Sequence, residues 1–188
     1  MIQLFWLRTD LRVADNTALS QALSNGPTVA VYLITPQQWL AHDDAPCKVD
    51  FWLRNLACLR EQLGKLNIPL LIRSCDDWQQ APATLLQLSQ QIGAGAVHCN
   101  EEYGIHETRR DQACSSLLEP QGIAFTAHFD QLLLKPGSVL TQSGNYFQVF
   151  SQFRKVCYQR LHRSLPACLP YPTAQAPLTI SSDELPAG

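Results

Sequence analysis

Over the first 130 positions the apolar residues follow two alternating patterns. One is a short unbroken run, seen at Ile2–Leu7, Thr28–Ile34, 69–73, 96–100 and 123–129. Runs of five to seven residues with apolar side chains at successive positions predict strands buried on both faces. The other pattern repeats every three to four residues and predicts amphipathic helices. The first helix runs through Ala18, Leu19, Ala22 and Leu23, with Asp15 or Asn16 as its N-cap and Asn25-Gly26-Pro27 as its end. Further helices are predicted over 47–66, over 83–92 with closure by Gly93 and Gly95, and over 107–118 with a stop at Pro120. Positions 35–46 read as a loop with a helical turn around Gln38 and Trp39.

Strand and helix thus alternate about five times, which predicts an α/β fold. The expected form is a Rossmann-like open five-stranded parallel sheet with helices on both faces, joined by right-handed crossovers. The first strand is expected at the centre, in the order 3-2-1-4-5. After Asp130 the periodicity changes. We divide the chain into an α/β domain over 1–130, a boundary loop with an aromatic helix (about 148–162) over 131–165, and a Pro-rich linker over 166–188. The linker holds five prolines and is expected to be extended or disordered, leading to a further domain.

Composition narrows the functional classes. Hydrophobic residues make up 46% of the 188, enough for a real core. Charged residues are 16%, against a usual value of about 25%, so some surface is expected to be covered. A net charge of -2 is a poor electrostatic footprint for nucleic acid, and DNA contact would have to lie mostly outside this segment. The seven cysteines form no CxxC pair, and their odd number and irregular spacing argue against a disulfide framework or a zinc site. Reduced thiols fit a cytoplasmic location. The N-terminus lacks a basic signal-peptide region, and no apolar stretch reaches membrane-spanning length.

No G-x-G-x-x-G, Walker loop, catalytic triad or paired-carboxylate site is present, so no catalytic residue and no metal ligand is nominated. Arg8, Asp10, Arg12 and Asp15 form a charge cluster where the first strand ends. It reads either as a polar wall for a cofactor or as salt bridges plus a helix cap. Trp6, Trp39, Trp52 and Trp78 are dispersed along the chain and read as packing rather than an electron relay. His42 follows the second strand and can stack on or hydrogen-bond to a heterocycle while neutral. Glu107 opens the fourth large helix, where the helix dipole favours an acid.

Three segments together resemble the photolyase/cryptochrome family, and most of all its class I cyclobutane pyrimidine dimer photolyases. Residues 7–16 (LRTDLRVADN) match the family opening FRxDLRxxDN, with Leu7 in place of the aromatic. Residues 32–42 (YLITPQQWLAH) resemble the second-strand loop of the folate-type enzymes. Residues 146–153 (YFQVFSQF) are similar to the family's Y-x-V-F-x-x-F segment, with one extra residue. The resemblance runs from residue 2 to about 165.

The resemblance implies an antenna domain that binds 5,10-methenyltetrahydrofolate through His42, His106 and Glu107. A pterin presents two parallel N–H donors that one carboxylate, Glu107, can accept together. His106 stands where the folate-type enzymes carry Asn. The resemblance also implies a C-terminal helical domain that holds FAD and repairs UV-damaged DNA. The stripe Phe147, Phe150 and Phe153 would pack toward that domain. This chain alone is then expected to bind no FAD and repair no dimers. A deazaflavin antenna, using the switch-point crevice instead of the His42/Glu107 edge, is an alternative ligand. A photosensory cryptochrome domain and a nucleotide-binding α/β module are the alternative functions.

Overall fold

In the computed structural model, which describes residues 1–185, five strands and six helices alternate along the chain. They are β1 (Ile2–Leu7), α1 (Thr17–Asn25), β2 (Thr28–Ile34), α2 (Pro36–Ala41), α3 (Pro46–Lys65), β3 (Leu70–Ser74), α4 (Ala81–Ile92), β4 (Ala94–Asn100), α5 (Ile105–Leu118), β5 (Ala124–His128) and α6 (Phe150–Arg163). All strand pairs are parallel, in the order β3-β2-β1-β4-β5, with β1 at the centre as expected.

The unbroken apolar runs follow from burial on both faces. Along β1, Leu4 and Trp6 face one core, while Phe5 and Leu7 face the other. The first core is completed by Leu85 and Leu88 of α4 and by Cys114 and Leu118 of α5. The second is completed by Leu19 of α1 and by Leu56, Leu59 and Leu63 of α3. Helices therefore cover both faces.

Several boundaries differ from the sequence reading. Positions 36–41 form a true short helix, because Pro36 occupies its first turn without needing an N–H. α5 starts two residues early, at Ile105, so His106 and Glu107 lie in its first turn. Gly93 caps α4 in the left-handed conformation, but Gly95 lies inside β4 and is not part of the closure. Ile2 pairs with Ala94 and Gln3 with Ala96, so Gly95 is a bulge, and a side chain there would run into Met1.

Among the described residues the Arg8/Asp10/Arg12/Asp15 cluster forms no ion pair within itself, although Arg12 donates to the Asp15 carbonyl at 2.8 Å. Arg8 pairs with Glu102 and Asp111, and Arg12 pairs with Asp130 at 2.5 Å. Asp10 accepts from the Arg8 N–H and from the Asn100 and Asn16 amides. Asn16 is the N-cap of α1, accepting from the Leu19 N–H at 3.1 Å.

From Leu165 to Leu185 the chain forms no helix or strand, and it is fastened to the domain. The Gln175 amide bonds Thr28 through both its N–H and its C=O, and the Gln175 backbone N–H donates to Leu66. At the open edge of β3, the Leu70 N–H donates to Ser182 Oγ and the Ile72 N–H to Asp183 Oδ2. Asp183 also pairs with Arg73. Leu178 and Ile180 pack against one core and Leu185 against the other. This strap covers an edge that would otherwise template pairing with another chain. Positions 186–188 of the expected linker lie outside the described residues. Among the described residues no helix is long and apolar enough to cross a membrane.

A polar pair, buried at His98 and half-buried at His128, links β4 and β5. The His98 and His128 rings stack with centroids 5.3 Å apart, and His98 Nδ1 lies 3.0 Å from His128 Nε2. His98 Nε2 lies 2.9 Å from Gln3 Oε1. Because Gln3 Oε1 can only accept, His98 Nε2 carries the proton and His128 donates to His98 Nδ1. Burial, and then the neighbouring His128, lowers the His98 pKa to about 4.

Asp183→Ala removes the acceptor for the Ile72 N–H and the partner of Arg73. It should lower stability by about 1–3 kcal/mol and speed proteolytic cleavage within 166–185, both measurable on the purified chain. His98 binds a proton more weakly folded than unfolded, so its contribution to stability is complete above pH ~6.5 and is lost as pH falls toward ~4. Urea midpoints measured across that window should fall, and His98→Gln should flatten the slope. An unchanged slope would remove His98 as its source.

Candidate chromophore site

The parallel sheet directs every strand's carboxyl end to one rim, and a cavity of about 190 Å³ opens there. β1 contributes Trp6 and the residues just after it, Arg8 and Thr9. β2 and its following turn contribute Tyr32 and Thr35, and α2 with its C-cap contributes Gln38, Trp39 and His42. α3 supplies Lys48 and Trp52, the turn after β3 supplies Trp78, and the turn after β4 supplies Glu102. Glu107 and Arg110 complete the wall from α5.

A buried ionic cluster underlies the cavity. Arg8 donates to Asp111 at 2.6 Å, to the Asn100 carbonyl, and approaches Glu102 at 3.5 Å. Arg110 reaches Glu102 and Asp111, both at 2.8 Å. Burial alone would push the Glu102 carboxyl up, but the charges of Arg8 and Arg110 and the Thr9 hydroxyl outweigh it and hold the pKa below the usual range. The two guanidinium groups also lie against indoles. Arg8 and Arg110 are each 4.9 Å from the Trp6 ring centre, and Arg110 is 4.7 Å from that of Trp78.

All four tryptophans line this one cavity. The sequence reading assigned them to packing, and they do pack, but three of them in the cavity wall rather than in a core. Trp6 belongs to a buried core, whereas Trp39, Trp52 and Trp78 are half-buried and belong to neither core cluster. Trp39 and Trp52 pack at 6.1 Å, and Lys48 lies 4.8 Å from the Trp52 ring. The overlooked signal was position: each indole ends a strand or belongs to an element that follows one.

The nominated residues come together at this rim. His42 caps α2 and is exposed, with its ring 5.6 Å from Trp78 and 5.5 Å from His106. The Gln38 amide donates to His42 Nε2 at 2.6 Å, which leaves Nδ1–H as the ring's donor. His106 is exposed and does not line the cavity. Glu107 is half-buried and folds back over Gly104, where any Cβ would overlap its carboxylate. Among the described residues Glu107 has no ion-pair partner. The expected separation between a switch-point crevice and a His42/Glu107 edge does not exist, because Arg8, Thr9, His42 and Glu107 share one cavity.

Comparison with known proteins agrees with this architecture. The model of the DNA photolyase family matches residues 3–172. A deoxyribodipyrimidine photo-lyase of Vibrio cholerae is 42% identical over 155 residues, covering 82% of this chain and 33% of the relative. A crystal structure of a bacterial class III photolyase from Agrobacterium tumefaciens matches with a TM-score of 0.74 at 26% identity, over 97% of this chain and 37% of the other. An archaeal photolyase from Sulfolobus tokodaii, solved with two FAD molecules and taken to imply a novel light-harvesting cofactor, matches with a TM-score of 0.73 at 25% identity, over 93% and 38%. The chain spans about a third of the length of these relatives. With most of its length matched and its fold shared, the chain belongs to the DNA photolyase family.

Proposed function

We propose that this chain is the light-harvesting domain of a cytoplasmic photolyase and that it holds 5,10-methenyltetrahydrofolate against His42 and Glu107 in the cavity, with His106, beside His42, meeting the part of the ligand that projects beyond it. The observation that carries the reading is a carboxylate without an ion-pair partner facing an aromatic cavity at the carboxyl rim of the sheet. Two parallel N–H groups of a pterin match the two oxygens of Glu107, and a charge-assisted pair is stronger than neutral hydrogen bonds. His42, oriented by Gln38, offers a ring face and an Nδ1–H donor. When bound, such a folate absorbs near-ultraviolet and blue light and can pass the excitation to a flavin.

Size supports a small ligand ring. At about 190 Å³ the cavity is below the roughly 300–1,000 Å³ of pockets that enclose a drug-sized molecule. A two-ring pterin is therefore a better match than a three-ring deazaflavin, and the rest of the ligand would project outside. The missing walls would come from a C-terminal helical FAD domain, which in the same reading splits cyclobutane pyrimidine dimers in UV-damaged DNA. α6 suits contact with that domain: Phe150 and Phe153 are exposed and clustered with Phe147. The stretch 131–182 holds five Lys/Arg and no Asp or Glu, so any approach to the DNA backbone by this chain would fall there. With half its walls elsewhere, the isolated chain should bind folate weakly and FAD not at all.

Glu107→Gln tests the site. It keeps the shape but sets an amide donor against a ligand donor. At roughly 1.5–3 kcal/mol for a hydrogen bond to a charged group, folate affinity should fall at least about tenfold. In a protein carrying both domains, repair under direct flavin excitation should stay unchanged. Absorbance of bound folate, titrated at limiting ligand, reads the first effect, and normal occupancy in the variant would remove Glu107 from the site.

A further inference from the structure

Three of the four tryptophans lie outside both cores. The cavity is lined by 17 of the 188 residues, so chance would bring fewer than one tryptophan to it, and all four are there. Only Trp6 helps fill a core. We infer that the four indoles form a second, ultraviolet-collecting antenna that passes its excitation to the chromophore in the cavity. The inference rests on the reading of that cavity as a chromophore site.

The geometry favours transfer at every step. Coupling between transition dipoles falls with the inverse sixth power of distance in its effect on rate, and every indole here is in the wall itself. Indole emits in the near ultraviolet, where pterins and flavins absorb, so the transfer runs downhill. Trp39 and Trp52, with centroids 6.1 Å apart, can share excitation before it leaves. Trp6 and Trp78 flank the same Arg110 guanidinium, at 4.9 and 4.7 Å. Only excitation moves: no bond forms or breaks, and no electron changes hands.

The competing process is electron loss from an indole to the excited chromophore, and the same contacts oppose it. A cation against a ring stabilises the ring's electrons and disfavours its radical cation. Arg8 and Arg110 lie against Trp6, Arg110 against Trp78, and Lys48 against Trp52. Three of the four indoles are thereby made poor electron donors while their light absorption is kept.

The test uses the 188-residue chain with saturating methenyltetrahydrofolate, excited at the red edge of the indole band. Binding is followed separately by the folate's own absorbance. The inference expects the indole fluorescence lifetime to shorten by more than half and an indole band to appear in the excitation spectrum of folate emission. Each single Trp→Phe variant that retains folate should lose roughly a quarter of that band, and the triple variant of Trp39, Trp52 and Trp78 roughly three quarters. The single variants serve where the triple one does not fold. Folate bound with an unchanged indole lifetime would overturn the inference and leave the site standing. A shortened lifetime without the indole band would also overturn it, since that is electron loss. No binding even at saturation would overturn both the inference and the reading of the cavity.

Discussion

Two arginines and two carboxylates, buried together where β1 and β4 end, hold the rim of the sheet in the shape the rest of the site requires. Arg8 comes from the end of β1, Glu102 from the turn after β4, and Arg110 and Asp111 from α5. Buried charges are costly unless fully paired, and breaking one such pair typically costs about 3–5 kcal/mol. Here each guanidinium meets both carboxylates, Arg8 adds the Asn100 carbonyl, and Arg110 lies against two indoles. An apolar cluster of the same volume could be as stable. What charge adds is direction: the planar forks fix α5 against the strand ends and so set where Glu107 stands.

A second polar network anchors the opposite side of the same strand ends. Asn100 donates to Asp10 at 2.6 Å and to Asn16 at 2.9 Å, and its own oxygen accepts from the Ala18 N–H. One side chain at the end of β4 therefore ties the turn after β1 to the first turn of α1. Buried and fully satisfied networks of this kind resist rearrangement, because any partial break strands a polar group away from water.

The fold was legible in the chain because burial on both faces leaves an unbroken apolar run that turns interrupt cleanly. The rim position of His42 and Glu107 was legible for a related reason, since each follows a strand. What escaped was set by tertiary contact. Arg8 and Asp111 are 103 positions apart, and Arg12 and Asp130 are 118 apart, so the charges near Arg8 in sequence were the wrong candidates. The tryptophans escaped for the same reason: no periodicity links Trp6, Trp39, Trp52 and Trp78, and only the common direction of the strands brings them together. The start of α5 was misjudged because Gly104 carries no side-chain cap, so Ile105 and His106 lacked a visible helix signal.

The strap also gives the domain an order of events. β3 is made early and covered late, since 111 positions separate Ile72 from the Asp183 carboxylate that seals its edge. While the chain is being synthesised, the first three strands can pair and both cores can begin to form, yet the outer N–H groups of β3 stay open until the residues beyond 180 have emerged. For that interval the half-made domain presents a bare parallel edge to any neighbouring chain. Vectorial synthesis thus leaves a window of vulnerability whose length is set by the distance in sequence between an edge and its cover.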